Sequence, residues 1–194
     1  MKRRVAVFGG SFNPPHSGHR KICRYLLAKA FDEVWVVPVY RHAFGKRLAP
    51  FKHRLEMCSL MTHGLSRVKV LDTERRIGGI SRTIRTLELL ARGNPSTRFS
   101  LVVGADAMSE TRTWLSFDRI RRLARIVVIP RPGAGGTGPF LSPLSSTEIR
   151  AKLAQGGSVR RDCGERVASY IAAHTLYRSR SGAGLISKSH RAGS

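Results

Sequence analysis

The sequence has few acidic residues and few cysteines, and each shortage narrows the class of protein. Only 12 Asp and Glu stand against 35 Lys and Arg among 194 residues, so the formal net charge is +23. The cysteines Cys23, Cys58 and Cys163 are far apart and form no C-x-x-C pair. Neither a disulfide framework nor a zinc site is therefore predicted, and a reducing cytoplasm is the expected location.

The chain also lacks a long apolar run and is poor in aromatic residues. No stretch approaches the roughly 18 apolar residues that a membrane span needs. The run Val5–Phe8 after the basic start is too short for an export signal. The positive charge attracts polyanions, which include nucleotides as well as nucleic acids. Aromatic residues make up only 7% and do not cluster with the basic ones, so a basic nucleic-acid-binding module is the less favoured alternative.

Short apolar runs alternate with segments of helical spacing along most of the chain. Such runs, rich in β-branched residues, are typical of strands buried on both faces. They lie at Val5–Phe8, Val34–Val39, Val68–Leu71, Phe99–Val103 and Ile126–Ile129. The alternation predicts an α/β fold, a doubly wound parallel sheet with helices on both faces. We expect one domain over residues 1–177 and a disordered basic tail over 178–194, which is rich in Ser and Gly.

The segment VAVFGGSFNPPHSGH, which starts at Val5, has the features of a phosphate site. Gly9 and Gly10 directly follow the first apolar run, where glycine lets a ligand approach the backbone. His16 and His19 lie three residues apart at the predicted start of the first helix, so both imidazoles face one side of a helical turn. Free backbone amides at a helix start bind anions. The segment therefore predicts a rigid phosphate-binding loop.

Five sequence features together resemble one enzyme family. GGSFNPPHSGH is similar to the signature of the HxGH nucleotidyltransferases and, within them, of the nicotinate/nicotinamide mononucleotide adenylyltransferases. The family's G-x-D, its downstream Trp, its R-P-G and its S-S-T-x-I-R motif have counterparts in the same order. These are Gly104 to Asp106, Trp114, IPRPG at 129–133 and SSTEIR at 145–150. The resemblance covers about residues 5 to 177 and implies a Rossmann-like fold.

The resemblance implies transfer of the adenylyl group of ATP to nicotinate mononucleotide, which yields deamido-NAD and pyrophosphate in NAD biosynthesis. The expected partners are ATP and a pyridine mononucleotide, with no membrane. Mg²⁺ is expected as the cofactor, held mainly by phosphate oxygens and water, so no protein metal site is predicted. The oligomeric state stays open.

The resemblance also implies site residues. His19 is expected at the α-phosphate and His16 at the neighbouring phosphates. Further ATP or phosphate contacts are expected from Gly9, Gly10, Ser11, Phe12, Gly18, Ser146, Thr147 and Arg150. Contacts to the mononucleotide or a ribose are expected from Lys46, Arg54, Thr83, Gly104, Asp106 and Trp114.

Departures from the family pattern leave the pyridine substituent open. Ser81-Arg-Thr83 stands where nicotinate-specific bacterial members usually have Ser-Tyr-Thr, and Arg85 follows where an acidic residue is usual. YRHAFGKRLAPFKHR, from Tyr40 to Arg54, is similar to the loop of nicotinamide-type enzymes. A dual-specificity or nicotinamide mononucleotide adenylyltransferase is therefore the first alternative. A phosphopantetheine adenylyltransferase is less favoured, since those enzymes usually carry Thr at the first position of the motif.

Overall fold

The computed structural model describes residues 2–29, 31–105, 114–130 and 144–178. Its five strands form one parallel sheet in the order β3-β2-β1-β4-β5. The strands are β1 (Arg3–Gly10), β2 (Glu33–Pro38), β3 (Val68–Val70), β4 (Thr97–Gly104) and β5 (Ala124–Ile129). All five predicted strands are confirmed. The chain order reverses between β1 and β4, and ligands bind beyond the carboxyl ends of strands at such a point.

Helices cover both faces of the sheet. Within the described residues they are α1 (Ser17–Ala28), α2 (Phe51–Thr62), α3 (Thr73–Ile77), α4 (Thr83–Gly93), α5 (Phe117–Leu123), α6 (Ser146–Ala154), α7 (Arg160–Cys163) and α8 (Glu165–Ala173). The doubly wound Rossmann-like α/β class is confirmed. No helix in these ranges is both long and apolar enough to cross a bilayer.

Alternating residues of the strands build two separate hydrophobic clusters, because successive side chains point to opposite faces. Val5 and Val7 of β1 pack with Ile84 and Leu87 of α4 on one face. Ala6 and Phe8 pack with the α1 residues Ile22, Cys23 and Leu26 on the other. The near-continuous apolar run in β1 thus reflects burial on both faces.

A third cluster joins the C-terminal helices to α2. Met57 and Met61 of α2 contact Ile149 of α6 and Val167 and Ile171 of α8. The amphipathic spacing from Val167 to Leu176 predicts a last helix over that range, but the helix ends earlier, at Ala173. The backbone φ of Thr175 is +50° and that of Tyr177 is +64°, so the chain turns out of the helix there. The proposed disordered tail, apart from Arg178, lies outside the described residues, and the domain boundary stays a prediction.

Candidate active site

Two adjacent cavities lie at the carboxyl edge of β1 and β4. We call them the histidine cavity, of about 660 Å³, lined by His16, His19 and Arg150 among others, and the apolar cavity, of about 340 Å³, lined by Leu87, Trp114 and others. Three predicted site residues line both cavities: Ser11, Lys46 and Gly104. This position matches the switch point of the sheet, so the topology and the predicted residues indicate the same edge.

The two histidines stand together at the start of α1. Their ring centroids are 3.7 Å apart, and the His16 side chain is buried. The backbone N–H of His16 donates to Nδ1 of His19 at 3.1 Å. Because Nδ1 accepts this hydrogen bond, the neutral His19 ring carries its proton on Nε2. His19 can therefore act as a hydrogen-bond donor without being charged.

Gly9 and Gly10 end β1 beside the ring of Phe12. Phe12 is buried with φ of +45°, and its ring meets the His19 ring edge-on at 4.9 Å. A Cβ on Gly10 would lie 3.2 Å from that ring, so a side chain there would displace Phe12. A Cβ on Gly9 would meet nothing closer than the Val37 carbonyl oxygen at 4.0 Å. Gly10 is thus needed for packing, whereas Gly9 leaves room beside the apolar cavity, which both glycines line.

Helix α6 points its N-terminus at the histidine cavity. Ser145 caps the helix, since its Oγ accepts from the N–H of Glu148 and its own N–H donates to the Glu148 carboxylate, both at 3.1 Å. The amides of Ser146 and Thr147 in the first turn have no intrahelical acceptor. Ser146 and Thr147 line the histidine cavity together with Arg150. The start of α6 is therefore rich in hydrogen-bond donors, as an anion-binding site requires.

Some donors in this helix already have protein partners. The Ser146 hydroxyl donates to the Pro14 carbonyl oxygen at 2.8 Å. Arg150 Nη1 donates to the Asn13 carbonyl oxygen at 2.8 Å, and Nη2 donates to Oγ1 of Thr147 at 3.3 Å. Arg150 therefore ties the helix to the phosphate-binding loop as well as lining the cavity.

Asn13 is a site residue that was not predicted from the sequence. Its side chain is buried, and its Oδ1 accepts from the N–H of Ala49 at 2.9 Å and from the hydroxyl of Tyr177 at 3.0 Å. It lines the histidine cavity beside His16. The residue stands inside the recognised motif, but its partners are distant in sequence, so the sequence alone did not reveal them.

The apolar cavity combines an apolar wall with the start of α4. Leu87, Leu101 and Trp114 contribute apolar surface, and Trp114 packs near Phe117 with ring centroids 6.4 Å apart. Thr83 begins α4 at the edge of the cavity, where the backbone N–H groups of Thr83 and Ile84 lack intrahelical acceptors. The cavity thus suits a flat aromatic group with a negative substituent.

Polar contacts fix the loops around the apolar cavity. The Glu74 carboxylate accepts from the N–H of Tyr40 at 3.0 Å and from the hydroxyl of Thr86 at 3.1 Å. The hydroxyl oxygen of Ser81 accepts from the N–H groups of Tyr40 and Arg41. These contacts tie the segment after β2 to α3 and α4. Glu74 and Thr86 line the cavity and were not predicted.

Arg54 lies in a different place from the predicted one. Its side chain is only 1% exposed and lines neither cavity. Its Nε donates to the carbonyl oxygen of Ala49 at 2.8 Å, Nη1 to that of Ser11 at 2.9 Å and Nη2 to that of Tyr40 at 3.3 Å. Burial lowers its pKa from the usual value. Arg54 therefore holds three loops together from beneath the site, which does not match the expected contact with a substrate phosphate.

The other predicted residues divide between the two cavities. Phe12 and Gly18 line the histidine cavity, and Thr83 and Trp114 line the apolar one. Asp106 and most of the IPRPG segment lie outside the described residues. All three cysteines are buried and unpaired. Burial raises the pKa of Cys23 to about 12, so its thiol is not a nucleophile at neutral pH.

Residues 7–152 match the family model described as cytidylyltransferase-like. A protein of Anaeromyxobacter dehalogenans (strain 2CP-C), described as a probable nicotinate-nucleotide adenylyltransferase, is 47% identical over 186 residues, which is 91% of this chain and 97% of the relative. The chain belongs to this adenylyltransferase family. A Myxococcus xanthus (strain DK1622) relative with the same description is 38% identical over 89% of this chain and 94% of its own.

Solved structures agree on the fold. The nicotinic acid mononucleotide adenylyltransferase of Plasmodium falciparum, solved in complex with NaAD, superposes with a TM-score of 0.79. The match covers 90% of this chain and 97% of that chain at 20% sequence identity. At this low identity the likeness bears on the fold alone, and it agrees with the doubly wound sheet described above.

Proposed function

We propose that the protein transfers the adenylyl group of ATP to nicotinate mononucleotide and releases pyrophosphate and deamido-NAD. One observation carries the proposal. The His16 and His19 pair and the start of α6 line one cavity, which shares Ser11, Lys46 and Gly104 with an apolar cavity next to it. A triphosphate in the first cavity and a pyridine ring in the second would bring the reacting phosphates together at the shared residues. The names of the relatives support this choice of substrates.

The reaction needs positioning and charge stabilisation more than a base. A phosphate monoester has its second pKa near 6, so the attacking oxygen of the mononucleotide is already largely ionised at neutral pH. That oxygen forms a bond to the α-phosphorus of ATP, and the bond to the pyrophosphate oxygen breaks. The Nε2–H of His19 would donate to the α-phosphate as its negative charge grows. His16 would contact the neighbouring phosphates.

The leaving pyrophosphate would be held by α6. The free amides of Ser146 and Thr147 and the guanidinium of Arg150 supply donors, and the helix dipole favours an anion at this end. The Ser146 hydroxyl donates to Pro14, so its backbone N–H is the better candidate for the phosphate contact. Mg²⁺ would enter with ATP and screen phosphate charge, bound by phosphate oxygens and water. The histidine cavity fits such a complex, because its N–H donors suit phosphate oxygens. The ligands of Mg²⁺ would then come from the nucleotide and from water.

The pyridine would occupy the apolar cavity. Its ring would lie against the wall that includes Trp114, and its carboxylate would lie at the start of α4, near Thr83 and Arg82. Lys46, at the junction of the cavities, would contact a substrate phosphate. Ser11 and Gly104 lie at the same junction. Asp106 is proposed at a ribose, although it lies outside the described residues. A cytoplasmic location stays a prediction.

The proposal is tested by product formation. The purified protein is incubated with MgATP and nicotinate mononucleotide, and both pyrophosphate and deamido-NAD are quantified. The expected result is equimolar release of the two products, with almost none from the His19→Ala variant. Release of pyrophosphate without deamido-NAD would point to ATP hydrolysis and contradict the proposal.

The second candidate, dual specificity for nicotinamide mononucleotide, has one observation in its favour. The Ser81 hydroxyl already accepts two backbone N–H groups, at 3.0 and 3.2 Å. Both lone pairs of the Ser81 oxygen are used by the loop, and its remaining O–H donor suits a carboxylate oxygen and an amide oxygen alike, so this hydroxyl does not by itself select the acid. An amide oxygen also accepts hydrogen bonds from backbone N–H groups. The relative rates with the two mononucleotides decide between the candidates.

A further inference from the structure

Tyr177 connects the C-terminal end of α8 to the phosphate-binding loop. Its hydroxyl donates to Oδ1 of Asn13 at 3.0 Å, across 164 positions of sequence. The ring of Tyr177 packs against the cluster formed by α2, α6 and α8. The side chain lines neither cavity, so it is not placed to touch a substrate.

The backbone before Tyr177 takes conformations that non-glycine residues rarely adopt. Thr175 and Tyr177 both have positive φ, and such residues persist only when their surroundings hold them. The N–H of Thr175 donates to the carbonyl oxygen of Ala172, and that of Leu176 donates to Ile171. These contacts reverse the chain after α8 and direct the Tyr177 hydroxyl towards the loop.

Asn13 gathers contacts from three distant segments. Its Oδ1 accepts from Tyr177 and from the N–H of Ala49, and its carbonyl oxygen accepts from Arg150. The neighbouring Phe12 has a left-handed backbone and packs against His19. Asn13 follows Phe12 directly in the chain, so a displacement of Asn13 is passed on to the Phe12 ring that packs against His19.

Burial keeps the Tyr177 hydroxyl a hydrogen-bond donor. Burial raises the pKa of Tyr177, while the nearby Arg54 and Arg150 act in the opposite direction. The net effect is a rise, so the phenol is neutral at physiological pH. Asn13 Oδ1 has only acceptor capacity, so a neutral hydroxyl is the form that can bond to it.

We propose that Tyr177 is a positioning residue for the reaction: through Asn13 it fixes the phosphate-binding loop and thereby the alignment of His19. The kinetic part of this proposal rests on the proposed adenylyl transfer. The structural part, that Tyr177 orders the loop, does not depend on the substrate.

Tyr177→Phe tests the proposal, because it removes only the hydroxyl. Tyr170→Phe is the matched control. Tyr170 lies on α8, packs against the same cluster, and its hydroxyl bonds to Nδ1 of His53 at 2.9 Å, away from the loop. Hydrogen exchange by mass spectrometry on the free protein is expected to show roughly fivefold faster exchange of the loop amides between Gly10 and His19 in Tyr177→Phe. Tyr170→Phe should leave these amides unchanged.

The kinetic readout separates positioning from general stability. In Tyr177→Phe, kcat is expected to fall about tenfold, while KM for the mononucleotide changes less than twofold, because alignment matters most in the transition state. The kcat of Tyr170→Phe should stay within twofold of the parent protein. In an Asn13→Ala background, Tyr177→Phe should cause no further loss.

Three results would overturn the proposal: unchanged exchange in the loop, an unchanged kcat, or an equal kcat loss in both tyrosine variants. If the parent protein makes no deamido-NAD, the proposed function fails. Hydrogen exchange then still decides whether Tyr177 orders the loop.

Discussion

At the scale of single residues, His19 is oriented by the backbone of His16. The His16 N–H holds Nδ1 of His19, and the Phe12 ring packs against the imidazole. In the neutral ring this arrangement places the proton on Nε2, the donor proposed for the α-phosphate. The orientation is set before substrate binds, which is the condition under which a donor lowers a barrier most.

His19→Ala should reduce turnover by at least about two orders of magnitude and change ATP affinity little. The reason is that charge at the α-phosphate grows only in the transition state. Single-turnover kinetics and titration calorimetry measure the two effects separately. His63→Ala, at the end of α2 and outside both cavity linings, is the control and should behave like the parent. Near-normal turnover of the His19 variant would contradict the mechanism.

Arg54→Lys should lower the free energy of unfolding by about 2 kcal/mol or more. An ammonium cannot reproduce three contacts made by a planar fork, and carbonyl oxygens of Ser11, Ala49 or Tyr40 would lose their donor. Urea denaturation measures the change. Arg67→Lys, whose exposed guanidinium makes one 3.3 Å contact, should change stability by less than about 0.5 kcal/mol. Equal effects of the two substitutions would disagree with this role for Arg54.

Arg54 and Asn13 show what the sequence did not reveal about the site. The spacing of the motif predicted the pair His16 and His19, and the family resemblance added Ser146 and Arg150; all four line one cavity. Arg54 follows a basic loop and was expected at a phosphate. Its burial depends on three carbonyl oxygens that converge only after folding, so no local pattern could distinguish a buried cation from a substrate ligand.

At the scale of elements, α6 links the cavity to the loop at Asn13. Its capping box with Ser145 and Glu148 fixes where the helix begins, and the start of the helix fixes where its free amides lie. Arg150 extends this donor set by one helical turn. The element thus brings a helix terminus and a charged guanidinium to the lining of the same cavity.

Arg150→Ala should weaken MgATP binding about tenfold or more and affect mononucleotide binding less than threefold, because charged donors to phosphate contribute about 1.5–3 kcal/mol. Titration calorimetry with each substrate checks this. Lys152→Ala, on the same helix and paired with Asp162 at 2.9 Å, is the matched control and should leave both affinities unchanged. An equal loss of affinity for both substrates in the Arg150 variant would contradict the placement of Arg150 at the ATP phosphates.

Element type was easier to predict than element ends. The middle of each central strand, Val5–Phe8 in β1 and Leu101–Val103 in β4, is apolar because both faces are buried there, and this pattern is visible in the sequence. The sequence predicts that the last helix ends at Leu176, because that residue continues the apolar spacing. In the structure Leu176 packs against the third cluster from beyond the helix end. A residue can therefore continue the apolar spacing of a helix although the backbone has already left the helical conformation.

At the scale of the whole molecule, the charge of +23 opposes the compact state through self-repulsion. Raising sodium chloride from about 0.1 M to 1 M shortens the Debye length from about 10 Å to about 3 Å. The melting temperature should therefore rise by a few degrees, as scanning calorimetry can measure. A fall over this range would mean that exposed ion pairs such as Lys69 with Glu33 stabilise the fold more than repulsion weakens it.

The central claim, adenylyl transfer to nicotinate mononucleotide, is tested most directly by kcat/KM for nicotinate and for nicotinamide mononucleotide at fixed MgATP and low salt. A carboxylate at the start of α4, in a strongly positive chain, should bind its transition state more tightly than the neutral amide. The account predicts a ratio of at least about ten in favour of nicotinate, which corresponds to about 1.4 kcal/mol. A ratio near one would establish dual specificity, and a ratio that favours nicotinamide would contradict the assignment of the apolar cavity.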